Sequence, residues 1–278
     1  MPEREDGGKA LEQASFSRGQ REIGQQAIDD SRFASSNAPD RDERLSSPRD
    51  ASFDERIARC AADEKSLAGE SLKKDDAGWR VSLDKMDPAA RREYREQLTG
   101  EVLAKEVFCK AGYERASSDR LDGTRATSWD QLHDPEKLAA FRDAEQLTAR
   151  IEGREPCPIT ASESERDGGF NPKTNTIDLD HPKTLAYGNS EERAMLTFFH
   201  EQAHAKQRAA VENPDAFPEV SASQREEWRE NMENYKPGGE PKREKLEYRD
   251  QPIERDARAE ASERLARVLH ERRRTAEE

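Results

Sequence analysis

The chain has 278 residues, of which 32% are hydrophobic and 38% are Asp, Glu, Lys or Arg, and its formal net charge is -13. So little apolar side-chain surface cannot order the whole length, and we expect a modest core with solvated flanks. The negative charge argues against general nucleic-acid binding, and no apolar run approaches the roughly 20 residues that span a bilayer.

Residues 1–50 are rich in Ser, Arg, Asp, Gln and Gly and show no sustained hydrophobic period, which predicts a disordered tail. Because the N-terminus lacks the apolar segment of a secretory signal, the predicted location is the cytoplasm, or a host cytosol reached by a leaderless, type III-like route. A Ser-rich start is compatible with such a secretion signal and equally with a plain solvated tail. Cys60, Cys109 and Cys157 are widely separated, which favours reduced thiols over disulfides or a cysteine metal site.

Residues 51–154 are predicted to form a helical extension. In MDPAARREYREQLTGEVLAKEVFCKAGY, Asp87 suits a helix cap, Pro88 the first helical position and Gly112 the stop. A second helix is indicated by HDPEKLAAFRDAEQLTARIEG, which has a proline near its start and Gly153 at its end. Both helices are interpreted as packing elements.

The hydrophobic period changes between Pro156 and Asp180. The runs CPITAS and TNTIDLD are β-prone, and the segment ERDGGFNPK between them favours turns, so a small sheet or hairpin is predicted. We expect TNTIDLD to be a strand that borders the substrate cleft. Ser190, followed by two glutamates, then predicts the capped start of a helix that runs to about Ala210.

That helix contains MLTFFHEQAHAKQ, in which His200, Glu201 and His204 form the pattern H-E-x-x-H. Histidines four residues apart lie one turn above each other, about 6 Å between Cβ atoms, and can therefore present two nitrogens to one metal ion. Glu201 is one residue farther round the helix, where its carboxylate can act as a general base toward a water molecule. The apolar neighbours place the motif on a half-buried helix, where a histidine pair without a metal would be costly to satisfy.

On this motif the chain resembles the zincin superfamily of zinc metallopeptidases, over about residues 155–270. The resemblance implies an α+β fold in residues 155–278, with a small sheet packed on the H-E-x-x-H helix, and a Zn2+ ion that activates a water and polarises the scissile carbonyl. The metzincin branch is disfavoured, because Gln207 and Ala210 occupy the positions where that branch has Gly and His.

In the gluzincin branch a glutamate from a later helix completes the metal site, and QPIERDARAEASERLARVL resembles such a helix. The implied third ligand is Glu254, fifty residues after His204 and in the first turn of that helix. Three other acidic residues compete for this role: Glu244, Glu247 and Asp256. Asp256 is also a candidate for orienting a zinc-bound histidine, and Tyr248 and Tyr235 are candidates for stabilising the transition state.

These observations predict a zinc-dependent endopeptidase that hydrolyses peptide bonds of a protein substrate, with no nucleic-acid or membrane partner. The layout is similar to that of metallopeptidase effectors and toxins that bacteria deliver into other cells, so a secreted virulence effector is one interpretation. Two alternatives stay open. One is a non-catalytic acidic helical interaction protein with a structural or degenerate zinc site, and the other is a zinc hydrolase with a non-peptide substrate.

Overall fold

The computed structural model describes residues 55–57, 72–75, 78–81, 86–163, 166–186, 190–236 and 247–277. All of them belong to a compact unit that extends from Ala51 to Glu278. The predicted tail, together with Cys60 and Glu244, lies outside the described residues. The described part is mostly helical with a small three-stranded sheet, which confirms the mixed α and β class. Within that part, no helix combines the length and apolar character needed to cross a membrane.

Among the described elements, two strands precede three α-helices, and three further strands precede the last three α-helices. The α-helices are α1 (Pro88–Val102), α2 (Lys110–Ala116), α3 (Asp134–Glu152), α4 (Glu191–Glu212), α5 (Ala222–Glu233) and α6 (Pro252–Glu277). The strands are β1 (Leu72–Asp75), β2 (Gly78–Val81), β3 (Ile159–Ser162), β4 (Gly168–Asn171) and β5 (Thr176–Asp180). Shorter helical turns connect them: Leu103–Val107 and His181–Leu185 are π-helical, and Trp129–Gln131 and Pro214–Ala216 are 3-10 turns.

β1 and β2 pair antiparallel and form a two-stranded sheet of their own. The three-stranded sheet has the order β3-β5-β4, with β5 parallel to β3 and antiparallel to β4. In this register Ile177 of β5 lies opposite both Ile159 and Phe170. The turn from β4 into β5 includes Asn175, with φ of 51°, in the left-handed region that Asn tolerates better than most residues.

Three predicted helix ends are confirmed, and each depends on local chemistry. The Asp87 carboxylate accepts a hydrogen bond from the backbone amide of Ala89 at 3.0 Å, at the start of α1. The Ser190 hydroxyl accepts one from the amide of Arg193 at the start of α4. At the end of α3, Gly153 has a φ of 74°, the left-handed conformation that favours glycine after a helix.

The predicted helix stop at Gly112 is wrong. α1 ends at Val102 and continues as a π-helical turn, and α2 begins after Cys109, so Gly112 lies inside a second helix. A Cβ atom on Gly112 would collide with the backbone carbonyl of Val107. Glycine is therefore needed here for a close approach between α2 and the π-helical turn, and not for ending a helix.

One hydrophobic core joins α1, α3, α4, α6 and the three-stranded sheet. Its centre is a chain of aromatic rings, in which Phe141 of α3 lies 4.6 Å from Phe198 and 6.2 Å from Phe108 between ring centroids. Phe199 lies 6.2 Å from the Phe108 ring on another side. All four phenylalanines are fully buried, and their packing restricts the rotation of α4 about its own axis.

Candidate metal centre and cleft

α4 carries His200, Glu201 and His204 in its central turns, just after the buried Phe198 and Phe199. The two imidazole Nε2 atoms are 3.2 Å apart, as the four-residue spacing predicts for one helix face. Their side chains are 19% and 12% exposed, whereas Glu201 is buried. The pair therefore faces a partly enclosed space, in which a ligand can reach the nitrogens.

Glu254, in the first turn of α6, faces the same two nitrogens. Its Oε2 lies 3.2 Å from His200 Nε2 and its Oε1 lies 3.6 Å from His204 Nε2, and the side chain is 1% exposed. One ligand atom from each of the three residues lies within 4.8 Å of the others. α4 and α6 pack directly against each other, and this packing brings together residues that are fifty positions apart in the sequence.

Gln207 determines which nitrogen of His204 faces the other ligands. Its amide nitrogen donates to the backbone carbonyl of Ile253 at 2.9 Å, so its oxygen points toward His204 Nδ1, 3.0 Å away. That oxygen can only accept, which assigns the ring proton to Nδ1. The lone pair of the neutral ring is then on Nε2, and the same glutamine links α4 to the first turn of α6.

The donor set fits a metal ion. Glu254 Oε2 is buried and accepts no hydrogen bond from the described residues, although it lies beside His200 Nε2. The nearest arginine nitrogen, on Arg258, is 3.9 Å from this oxygen, beyond hydrogen-bonding distance. A buried carboxylate oxygen without a donor is costly, and a cation held jointly with the two imidazoles would satisfy it. His200, His204 and Glu254 could therefore hold a metal ion.

The carboxylates of Glu201 and Glu254 differ in pKa, because burial and neighbouring charges act on them differently. Burial raises the pKa of Glu201, and Glu254 adds to that increase, while His204, His200 and the Phe170 backbone oppose it. Burial alone would also raise the pKa of Glu254, but the adjacent imidazoles of His200 and His204, with the Tyr235 hydroxyl, outweigh it and lower this pKa far below the usual range. Glu201 is therefore the more basic of the two, as a proton acceptor requires.

A cleft of about 290 Å³ opens over this centre, and Glu201, His204 and Glu254 contribute to its wall. The rest of its lining is largely apolar and includes Phe170 of β4 and Met232 of α5. The centre therefore adjoins a space with room for a bound molecule, next to the edge of the sheet.

β4 reaches the centre through Gly168. A Cβ atom at this position would lie 2.9 Å from Thr197 Cγ2 and 3.3 Å from Glu201 Cγ, whereas one on Gly169 would meet nothing within 4 Å. Glycine thus lets the strand lie directly against α4 at Glu201. The predicted cleft position of TNTIDLD is wrong, because this run forms β5, the central strand, and β4 is the strand that lines the cleft.

Tyr235 and Tyr248 also line the cleft, with ring centroids 6.2 Å apart in an edge-to-face arrangement. The Tyr235 hydroxyl donates to Glu254 Oε1 at 2.8 Å. Burial and the charge of Glu254 raise the pKa of both phenols, so both stay protonated at neutral pH. Tyr235 thereby orients the carboxylate, and Tyr248 is available in the cleft as a second hydroxyl.

Asp256 points away from the histidines. Its Oδ2 accepts from Trp228 Nε1 at 3.0 Å, and its Oδ1 accepts from Arg255 Nε at 2.9 Å, so this carboxylate links α6 to α5. The residue that contacts the His204 ring nitrogen is the glutamine described above. Of the other competitors for the third ligand, Glu247 is exposed and Glu244 lies outside the described residues.

A buried ionic cluster lies beside the centre and joins α1, α3, α4 and α6. Lys206 Nζ contacts Glu96 Oε1 at 2.8 Å and Glu260 Oε1 at 3.1 Å. Arg264 donates to Glu152 at 2.8 Å and to Glu260 at 3.0 Å, and its side chain is 1% exposed. The cluster connects the helix that carries the histidines to the helix that carries the third ligand.

Sequence reasoning missed the role of Gln207 and the whole ionic cluster. Gln207 follows His204 by three residues, so helical spacing could have placed it on the same face as the motif. For the cluster, Lys206 and Arg264 interrupt the apolar faces of their helices, which is a visible irregularity in the sequence. Which carboxylates they meet depends on how four helices pack, and no local pattern shows that.

No protein-family model matches the chain, and no curated protein and no solved structure matches it either. The centre itself combines two imidazole nitrogens and a buried carboxylate oxygen with a second, more basic carboxylate in the wall of a cleft. Such an arrangement can hold a metal ion and accept a proton from a molecule bound next to it.

Proposed function

We propose that the chain is a zinc-dependent endopeptidase of the zincin type, gluzincin-like in its ligands, that hydrolyses peptide bonds of a protein substrate. The observation that supports this most is the position of Glu254, whose buried carboxylate meets the H-E-x-x-H histidines from a separate helix. In this proposal the protein acts in a cytosol, either that of its own cell or that of a host.

In this proposal His200, His204 and Glu254 hold the Zn2+ ion. When bound, zinc supplies a Lewis acid that polarises the scissile carbonyl and acidifies the attacking water. Glu201 accepts the proton of that water and later donates it to the leaving amine, a role that its burial and raised pKa favour.

A peptide substrate would lie in the cleft beside β4. β4 is an edge strand within the described sheet, so its outer backbone groups can pair with an extended chain. Gly168 and Gly169 keep this edge narrow where it passes Glu201, and the apolar lining from Phe170 and Met232 suits side chains next to the scissile bond. Backbone pairing of this kind favours a polypeptide over a small-molecule substrate.

Four variants test the proposal by separating metal binding from turnover. His200→Ala and Glu254→Ala should lose both zinc and activity, because each removes a ligand. Glu201→Gln should keep near-stoichiometric zinc and its fold, and lose turnover by at least about a hundredfold, since it lacks the basic carboxylate. Glu192→Gln, at an exposed position in the first turn of the same helix, is the matched control and should behave as the wild type.

The measurements are zinc content after reconstitution and cleavage of a proteome-derived peptide library, read by mass spectrometry. Zinc retained in Glu254→Ala would exclude this residue as the third ligand. Zinc binding without any Glu201-dependent cleavage would favour the acidic interaction protein with a structural site. A wild-type chain that binds no zinc would contradict the enzymatic proposal as a whole.

A further inference from the structure

Arg208 lies on α4, one helical turn after His204, and lines the same cleft. Its Nε donates to Glu212 Oε1 at 2.7 Å, four residues along the helix. Its two terminal nitrogens contact no acceptor among the described residues, although the side chain is only 26% exposed. A guanidinium whose two terminal nitrogens have no acceptor among the described residues can bind a carboxylate through both of them.

Several arginines with low exposure use their terminal nitrogens within the fold. Arg95 binds Glu219 at 2.6 Å, Arg154 binds Glu145 at 2.6 Å, and Arg264 binds Glu152 at 2.8 Å. Others donate to backbone carbonyls, as Arg225 does to Val220, so these arginines find their acceptors within the fold. Arg208 departs from that pattern at the one turn of α4 that follows the proposed metal site.

The charges that line the cleft favour the same interpretation. Glu201 and Glu254 belong to the proposed metal site, and among the described residues the other charged side chains in the lining, apart from His204, are Arg166 and Arg208. Both are cations in a chain whose formal net charge is -13. The charged side chains that the described residues contribute beyond the metal site are therefore cationic, which favours a negatively charged group of a bound molecule.

Arg208 also lines a second cavity of about 570 Å³, together with Ala205, Ala209 and Phe217. Among the described residues, Arg208 is the one that both linings share, and the second lining also includes Arg154, Glu155 and Glu212.

We propose that Arg208 is a specificity-determining residue that binds an Asp or Glu side chain of the substrate. One helical turn past His204 corresponds to roughly 6 Å along the axis. An extended peptide rises about 3.3 Å per residue, which places the acidic residue about two positions from the scissile bond. This inference rests on the proposed peptidase function and adds the substrate class to it.

The test starts with the cleavage sites that the wild-type protein selects in a proteome-derived peptide library. The best-cleaved sequence is then synthesised with Glu, Gln or Lys at the preferred acidic position. Arg208→Gln should lower kcat/KM for the Glu peptide roughly tenfold to a hundredfold and leave the Gln peptide within about twofold. Arg208→Glu should shift the preference to the Lys peptide, which a structural role of this residue would not produce.

Arg229→Gln is the matched control, because Arg229 is also an arginine paired with a glutamate of its own helix, but it is exposed and outside the cleft. It should keep the wild-type preference, and zinc content and melting temperature should be unchanged in all three variants. Library cleavage with no acidic preference would overturn the role of Arg208 and leave the peptidase proposal standing. Absence of any Glu201-dependent cleavage would overturn the peptidase proposal, and the Arg208 assignment with it.

Discussion

Replacing Lys206 by Met should destabilise the fold, because Lys206 is a buried cation of α4 that contacts carboxylates of both α1 and α6. The ammonium contacts Glu96 and Glu260 at 2.8 and 3.1 Å, and the side chains of Lys206 and Glu96 are 9% and 10% exposed. Methionine has a similar length and shape, so the change removes the charge and its hydrogen bonds while it largely preserves the packing.

The expected loss in the free energy of unfolding is about 3 kcal/mol. Removing one partner of a buried ion pair typically costs roughly 3–5 kcal/mol, because the remaining charge is uncompensated. The lower end applies here, since Arg264 remains 3.0 Å from Glu260 and 3.6 Å from Glu96. In a folded unit of about 230 residues, each kcal/mol corresponds to roughly 2–4 °C, so the melting temperature should fall by about 6–12 °C.

Urea unfolding at neutral pH, followed by circular dichroism, measures this loss directly. Lys110→Met is the matched control, because Lys110 lies 3.7 Å from Glu114 within one helix and is 72% exposed. An exposed pair of this kind contributes at most about 0.5 kcal/mol. Equal losses in the two variants, or a loss below about 1 kcal/mol for Lys206→Met, would refute a stabilising role of the cluster.

The difference between wild type and Lys206→Met should also depend on pH. Burial alone would raise the pKa of Glu96, but Lys206 and Arg264 outweigh it and lower that pKa from 4.5 to about 2. A lowered carboxyl pKa stabilises the fold above pH 4.5, and that contribution is lost as the pH falls toward 2. Burial alone would lower the pKa of Lys206, but Glu260 and Glu96 outweigh it and raise this pKa above 10.5. The contribution of the Lys206 charge to stability is therefore complete below pH 10.5. The difference should therefore be largest between about pH 5 and 10 and shrink in acid.

Two further changes test the centre itself. Gly168→Ala would press a methyl group against α4 at Glu201. This variant should lose about 1–3 kcal/mol in the free energy of unfolding and most of the activity. Gly169→Ala is the control, because a methyl group there meets open space, and it should change neither stability nor activity. Tyr235→Phe removes the hydroxyl that orients Glu254 and should weaken zinc binding by roughly tenfold in a chelator competition. Unchanged zinc affinity in that variant would mean that the hydroxyl does not position the carboxylate.

Features with a local physical cause were predictable from the sequence. The cap at Asp87, the cap at Ser190 and the left-handed Gly153 each depend on residues within a few positions of the helix end, and each is found where it was expected. The proximity of His200 and His204 follows from helical spacing in the same way. These features need no knowledge of how the helices pack.

Features that depend on packing were not predictable in the same way. Gly112 is a residue type that commonly ends a helix, but its role is a close approach to Val107, five positions beyond the end of α1. ERDGGFNPK contains turn-forming residues, and yet Gly168 and its neighbours form a strand, because glycine there lets β4 approach α4. Glycine serves turns and close approaches alike, and its sequence neighbours do not distinguish the two.

The position of Glu254 depends on the register of α6 against α4, and we infer that the ionic cluster sets this register. The buried seam of α6 includes Ala257 and Ala261, which are four residues apart. Small, repeated side chains pack almost equally well after a shift of one turn, about 5.4 Å, so they specify the register weakly. Such a shift would carry Glu254 away from His200 Nε2, now at 3.2 Å. It would also separate Lys206 from Glu260 and leave buried charges unpaired, which opposes the shift in a way that the alanines cannot.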